Sequence, residues 1–206
     1  MLVLAFAAWP NNLFAEMYSE TAQIQVQLRG NAGAANEIEI MQSPDVLAPI
    51  IADLKLDAVW AQRFGKGAAL PMEDALAHMN AILKFEAVAG TDIIKVTASS
   101  EVPQEAAGIA NAIVDRYKTM RDSEQDQLNL AGIDATKQEI AQTQKLLEQA
   151  QTAVKQNPQD AQAQKGCDFL PRLLKALETK LGQNLAAEKA QQSPVLILTR
   201  AAPPPE

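Results

Sequence analysis

The chain has 206 residues, of which 21% are charged and 4% aromatic, with a formal net charge of −7 and a pI of about 4.8. Acidity and few aromatics leave out the basic footprint that phosphate-backbone binding needs, which argues against a nucleic-acid partner. The single cysteine, Cys167, excludes an internal disulfide, and no apolar run approaches the ~20 residues of a membrane span.

The first nine residues, Met1 to Trp9, are apolar and end at Pro10. No Lys or Arg precedes them, so they do not form an ordinary signal peptide. Two readings stand for residues 1–17: the outer end of a membrane helix with Trp9 at the interface, or a buried terminal helix or strand. Tyr18 to Leu28 follows. From Ala22 on, Ile24, Val26 and Leu28 alternate with Gln23, Gln25 and Gln27, the period of a strand with one buried face. Arg29-Gly30 ends it, and Asn31–Asn36 reads as a loop of small residues.

Ile38 to Leu56 carries pairs of apolar residues three and four apart, a helical face, with a fresh start at Pro44 and Ser43 as its cap. Trp60 and Phe64 share one face of the continuation, and Gly65-Lys66-Gly67 is a turn. Pro71–Leu83 predicts a further helix with Met72, Ala75, Leu76, Met79 and Leu83 inward. Lys84–Val88 and Asp92–Ala98, joined through Ala89-Gly90-Thr91, read as a β-hairpin.

From Pro103 to about Gln192 nearly every residue favours helix. Ala106, Ala110, Ile113, Tyr117 and Met120 form a stripe that should cover the sheet. Beyond Arg121 the pattern changes to a heptad seam of Ile133, Ile140, Leu147 and Val154. The positions between these are mostly Thr, Gln or Ala. Asn157-Pro158-Gln159-Asp160 marks a break. A return run then carries Leu170, Leu174, Leu177 and Leu181, with Leu173 and Leu185 beside them. The two runs predict an antiparallel helical hairpin, each arm about 50 Å long at ~1.5 Å per residue. Pro194–Leu198 is short and wholly apolar, as a central buried strand would be. Arg200 to Glu206 is proline-rich.

The fold class that follows is α+β: a small mixed sheet packed with helices, with the long hairpin inserted before the last strand. The expected division is residues 1–17 as the apolar segment, 18–123 with 193–202 as an α/β base, and 124–192 as a projecting hairpin. The two chain ends should lie at the same end of the base.

Motifs that carry catalysis are absent from this reading. His78 is the one histidine and cannot form a zinc site with one distant cysteine. No Gly-x-Ser-x-Gly elbow is present, and Gly65-Lys66-Gly67 lacks phosphate-loop spacing. Cys167 reads as a small apolar residue of the return helix, and His78 as a structural or surface histidine. No catalytic, metal or cofactor site is expected. Ile133, Ile140, Leu147, Val154, Leu170, Leu174, Leu177 and Leu181 are the candidate functional residues, as seam and assembly positions.

Four stretches, in order, resemble the Wzz-type chain-length determinants, the polysaccharide co-polymerases. They are Tyr18–Val26, Ser43–Trp60, Ile93–Val96 through Pro103–Ile113 and Tyr117, and Ser193–Leu198 with Pro203–Pro205. Val102 stands where that family usually has Asp before the helix-opening proline. The resemblance implies a non-enzymatic regulator of O-antigen or exopolysaccharide length. It also implies a ring of identical subunits at the bacterial inner membrane, facing the periplasm, beside a polymerase that extends a lipid-linked glycan. A competing reading is a periplasmic coiled-coil adaptor or scaffold of an export system. Adaptors carry their hairpin inside a lipoyl-like β domain, whereas helices here separate the first strand from the next two.

Overall fold

The computed structural model describes residues 16–27, 33–65, 67–190 and 192–204. The apolar run Met1–Trp9, Leu28, Arg29-Gly30, Lys66 and Pro205 lie outside the described residues. In chain order the elements are β1 (Tyr18–Val26), α1 (Ala34–Met41), α2 (Pro44–Asp53), α3 (Leu56–Arg63) and α4 (Met72–Ile82). Then come β2 (Leu83–Ala87), β3 (Ile93–Ser100), α5 (Pro103–Gln156), α6 (Ala161–Lys189) and β4 (Val195–Thr199). Two compact units result: residues 1–120 with 194–206, and residues 121–193.

In the first unit the four strands form one sheet in the order β2-β3-β1-β4. All three pairings are antiparallel, where a mixed sheet was expected. The reason is local: β2 and β3 are joined by a tight turn at Gly90 (φ 74°), which forces antiparallel pairing, and both β3 and β4 run against β1. Period-two patterning sets the faces. Ala22, Ile24 and Val26 are buried, with Ile94, Val96 and Ala98 beside them from β3. The outward residues are polar, and Ser19–Ser99 and Thr21–Thr97 hydroxyls bond across the strands at 2.8 Å.

The last strand pairs with β1, Val195 opposite Val26, so the insertion topology stands. It lies at the sheet edge, however, and not at the centre. Among the described residues only one face of the sheet is covered, so Val195 is buried while Leu196 and Leu198 are 57% and 42% exposed. A continuous apolar run predicts burial on both faces; here the uncovered face leaves Leu196 and Leu198 in the open, and the edge position leaves one side of the strand's backbone unpaired in the sheet. Tyr18 pairs with Ser100 at one end of the sheet, and the chain beyond Thr199 runs toward that same end. Asn111 holds it there: its amide donates to the Ala201 carbonyl (2.9 Å) and accepts from the Ala201 N–H (3.0 Å). Arg200 adds a bidentate pair with Asp115, both bonds 2.8 Å.

The helices cover the apolar face of the sheet. Val46, Leu47, Ile50 and Ile51 of α2, Trp60 of α3, Met79 of α4, and Ile109, Ile113 and Tyr117 of α5 join one core with β1 and β3. The expected loop at Asn31–Asn36 gives way to α1 from Ala34. This helix tucks Glu37 into the interior, where it accepts a hydrogen bond from the Tyr117 hydroxyl. Ser43 does sit in extended backbone before Pro44, yet its hydroxyl makes no capping bond. Met72 was expected inward but is 41% exposed, because α4 turns Ala75 and Met79 to the core; Leu83 belongs to β2. Lys55, between α2 and α3, takes the left-handed conformation (φ 53°).

The second unit contains the later part of α5 and all of α6. Asp160 caps α6, its carboxylate accepting from the N–H groups of Gln162 and Ala163 at 3.0 Å. Pro171 lies inside α6 and removes one helical donor. The two helices run antiparallel: Lys180 pairs with Glu139 at 4.0 Å, and Gly166 lies against Ala150 farther along.

Candidate functional site

Of the eight predicted seam residues, Ile133 is buried, and Ile140, Leu147, Val154, Leu170, Leu174, Leu177 and Leu181 are half-buried. The alternate seam positions on α5 are Thr136, Thr143 and Ala150. Thr136 and Thr143 are 2% and 6% exposed, and their hydroxyls turn back to the carbonyls of Gly132 (2.9 Å) and Glu139 (2.7 Å). A threonine buries less apolar surface than leucine and tends to bend the helix when bonded this way. Gly166 lets the helices approach closely: a Cβ there would sit 3.1 Å from that of Ala150. The seam is therefore close but thin. Apolar surface remains outside it, with Leu130 51%, Leu146 46% and Phe169 61% exposed.

A second constellation lies in the first unit, at the end of the sheet where β3 stops and α5 begins. Glu105 stands in the first turn of α5, where a carboxylate favours the helix N-terminus. Both oxygens take up the Arg63 guanidinium, at 3.0 and 2.7 Å, in a bidentate pair. Oε1 also accepts from the Ser100 hydroxyl (2.7 Å) and the Trp60 ring N–H (3.2 Å). Ser100 in turn accepts from the Val102 N–H, which ties down the turn into α5 despite the missing Asp at residue 102.

Burial would push the Glu105 carboxyl up, but the bonds from Arg63, Ser100 and Trp60 together outweigh it and hold the group below its ordinary value. Arg63 is pushed up, mainly by its bond to Glu105. His78 stands edge-on to Trp60 (4.5 Å) and Phe64 (4.9 Å). Burial holds it below the ordinary histidine range, with Glu105 pulling it up and Arg63 adding to the fall. A cavity of about 380 Å³ opens beside this cluster, with Met17, Phe64 and Ile82 on its apolar walls and Arg63, His78 and Glu101 among its polar ones.

Sequence reading leaves His78 as a structural or surface histidine and misses the Arg63–Glu105 pair. The one signal available was an acidic residue in the first turn after Pro103; nothing in the pattern links it to a residue 42 positions away. Among the described residues no group of three or more His, Cys, Asp or Glu is placed to hold a metal ion, and no helix is long and apolar enough to cross a membrane.

No family model matches the chain, and no curated protein matches it. Solved structures do. Among those it is similar to are Wzz-type polysaccharide co-polymerases. One is a point mutant of the Shigella flexneri lipopolysaccharide O-antigen chain-length regulator WzzBSF, at 10% identity and a TM-score of 0.35, covering 92% of this chain and 98% of that one. Another is a fragment of the polysaccharide co-polymerase WzzB from Salmonella Typhimurium, at 13% identity and a TM-score of 0.35, covering 93% and 98%. A full-length bacterial polysaccharide co-polymerase matches at 12% identity and a TM-score of 0.37, covering 94% of this chain and 78% of its own.

Proposed function

We propose that the chain is the periplasm-facing part of a non-enzymatic regulator of polysaccharide chain length, an oligomeric scaffold beside a polymerase of the bacterial inner membrane. The observation that supports this best is where the four resembling stretches fall. They occupy β1, α2 with the first half of α3, β3 with the opening of α5, and β4. These are the elements that build the sheet, cover it and lead into and out of the hairpin. Among the described residues four helices stand between β1 and β2, which separates the chain from an adaptor whose hairpin interrupts a β domain.

Assembly follows from the seam. A two-helix unit buries one stripe only, and long helices draw most of their stability from packing. With Thr136, Thr143 and Ala150 in the seam and Leu130, Leu146 and Phe169 exposed, other copies of the chain supply the missing partners. A single head-to-tail contact repeated to closure gives a ring. The test is Ile140→Glu or Leu177→Glu in the full membrane-anchored protein. Oligomers should be lost and the glycan length distribution should change, while the first unit keeps its fold. An unchanged glycan length with the hairpin melted would refute the proposal.

A further inference from the structure

The cavity beside Glu105 is mostly apolar but carries polar groups that the buried cluster does not use up. Arg63 has five N–H donors and spends two of them on Glu105, which leaves three. Glu101 also lines the cavity; it is exposed, it makes no hydrogen bond or ion pair among the described residues, and its charge acts on Arg63. One cation with spare donors therefore stands near an anion that has no hydrogen-bond partner among the described residues, while Glu105 is satisfied. The rest of the lining is Met17, Phe64 and Ile82, which are apolar, with His78 and with Ser99 and Ser100, whose hydroxyls are taken up by Ser19 and Glu105. Met17 is 53% exposed, so this wall continues onto the surface.

Each ligand class meets this wall differently. An anion alone meets one guanidinium between two carboxylates, a net repulsive setting. A cation alone leaves the spare donors of Arg63 without an acceptor. A polyol finds hydrogen bonds but nothing for the apolar walls. A molecule with an anionic group, a cationic group a few atoms away and an aliphatic tail matches all three. Burial keeps His78 neutral near neutral pH, so it adds a ring edge and no second positive charge.

We infer that this cavity binds the headgroup of a zwitterionic phospholipid, its phosphate on Arg63, its ammonium on Glu101, and the start of its tail along Met17, Phe64 and Ile82. The site lies at the end of the sheet where Tyr18 and Ser100 pair and toward which the chain beyond Thr199 runs. A lipid bound there would hold that end of the first unit against a bilayer surface. The inference stands on the cavity alone and goes beyond the regulatory proposal.

The test is calorimetric titration of the 206-residue chain with dodecylphosphocholine below its micellar concentration. Dodecyl maltoside, dodecyl sulfate and free phosphocholine are the comparison probes. Dodecylphosphocholine should bind at one site. Glu101→Gln should weaken it about fivefold, the scale of one partly exposed charge pair, and Ile82→Ser by a similar factor. Glu101 is exposed and outside the Glu105 network, so its variant should keep the wild-type circular dichroism. Equal binding of dodecyl maltoside, or wild-type affinity in Glu101→Gln, would overturn the headgroup assignment. Free phosphocholine binding as tightly as the amphiphile would overturn the lipid and leave a soluble zwitterion as the ligand. Glycan length does not enter these measurements, so their failure leaves the regulatory proposal where it stands.

Discussion

Replacing both seam threonines, Thr136→Val and Thr143→Val, should stabilise the helical hairpin. Both side chains are nearly fully buried, and each hydroxyl bonds only to a carbonyl of its own helix. Those carbonyls already serve as acceptors for the helical N–H four residues on, so removing the hydroxyls orphans nothing. Valine keeps the shape and adds a methyl where the hydroxyl was. A buried group of that size contributes ~0.8 kcal/mol, and relief of the back-bonded hydroxyl adds slightly to it. The two sites are one heptad apart, about 10 Å, so their effects should nearly add to ~1.5 kcal/mol. That is roughly a tenfold fall in the opening constant of the unit. The assay is native-state hydrogen exchange on the amides of residues 125–185, with those of the first unit as an internal reference. Protection should rise about tenfold in the hairpin alone. Unchanged or reduced protection would show that the seam does not limit hairpin stability, and the argument for assembly would lose its energetic basis.

Acid should loosen the first unit in two steps. His78 is held below its usual 6.5 and Glu105 below its usual 4.5, so each contributes stability above its unfolded value and loses it as pH falls toward its folded one. Urea midpoints measured from pH 8 to pH 4 should decline first below about 6.5, and His78→Gln should remove that step while leaving the one below 4.5. Lys55→Gly should raise stability by about 0.5–1 kcal/mol, because Lys55 sits in left-handed backbone that glycine takes without a Cβ clash; a lower thermal midpoint would count against this. Asn111→Ala removes both bonds that hold Ala201 and should cost about 1–2 kcal/mol, read as a lower urea midpoint with faster exchange at Ala201.

What could be read from the sequence was what repeats. Alternation at Ala22, Ile24 and Val26 gave both a strand and its buried face, because period two has one structural meaning once one face is dry. The heptad from Ile133 to Val154 and the break at Asn157-Pro158 gave the hairpin for the same reason. The edge position of β4 was not legible. Val-Leu-Ile-Leu carries the same letters at the centre of a sheet and at its edge, and the sheet order that decides between them is set by pairing with a strand about 170 residues earlier. Met72 failed on rotation: one more apolar residue at the start of α4 extended the stripe on paper, while the helix turns it outward.

The Glu105 cluster shows why a site can hide in an ordinary helix start. An acidic residue near a helix N-terminus is common and usually solvated, so Pro103-Gln104-Glu105 points to nothing but a helix. It becomes a site only because α3 brings Arg63 and Trp60 against it, and β3 brings Ser100, from 42, 45 and 5 residues away. Arg63 alone would be a surface cation, and Glu105 alone a partly buried carboxylate pushed up by desolvation. Together they hold each other charged, and the pair leaves three guanidinium N–H donors outside it. The sheet end thus gains a fixed dipole beside an apolar wall, a property that no one of these residues has and that only the tertiary fold assembles.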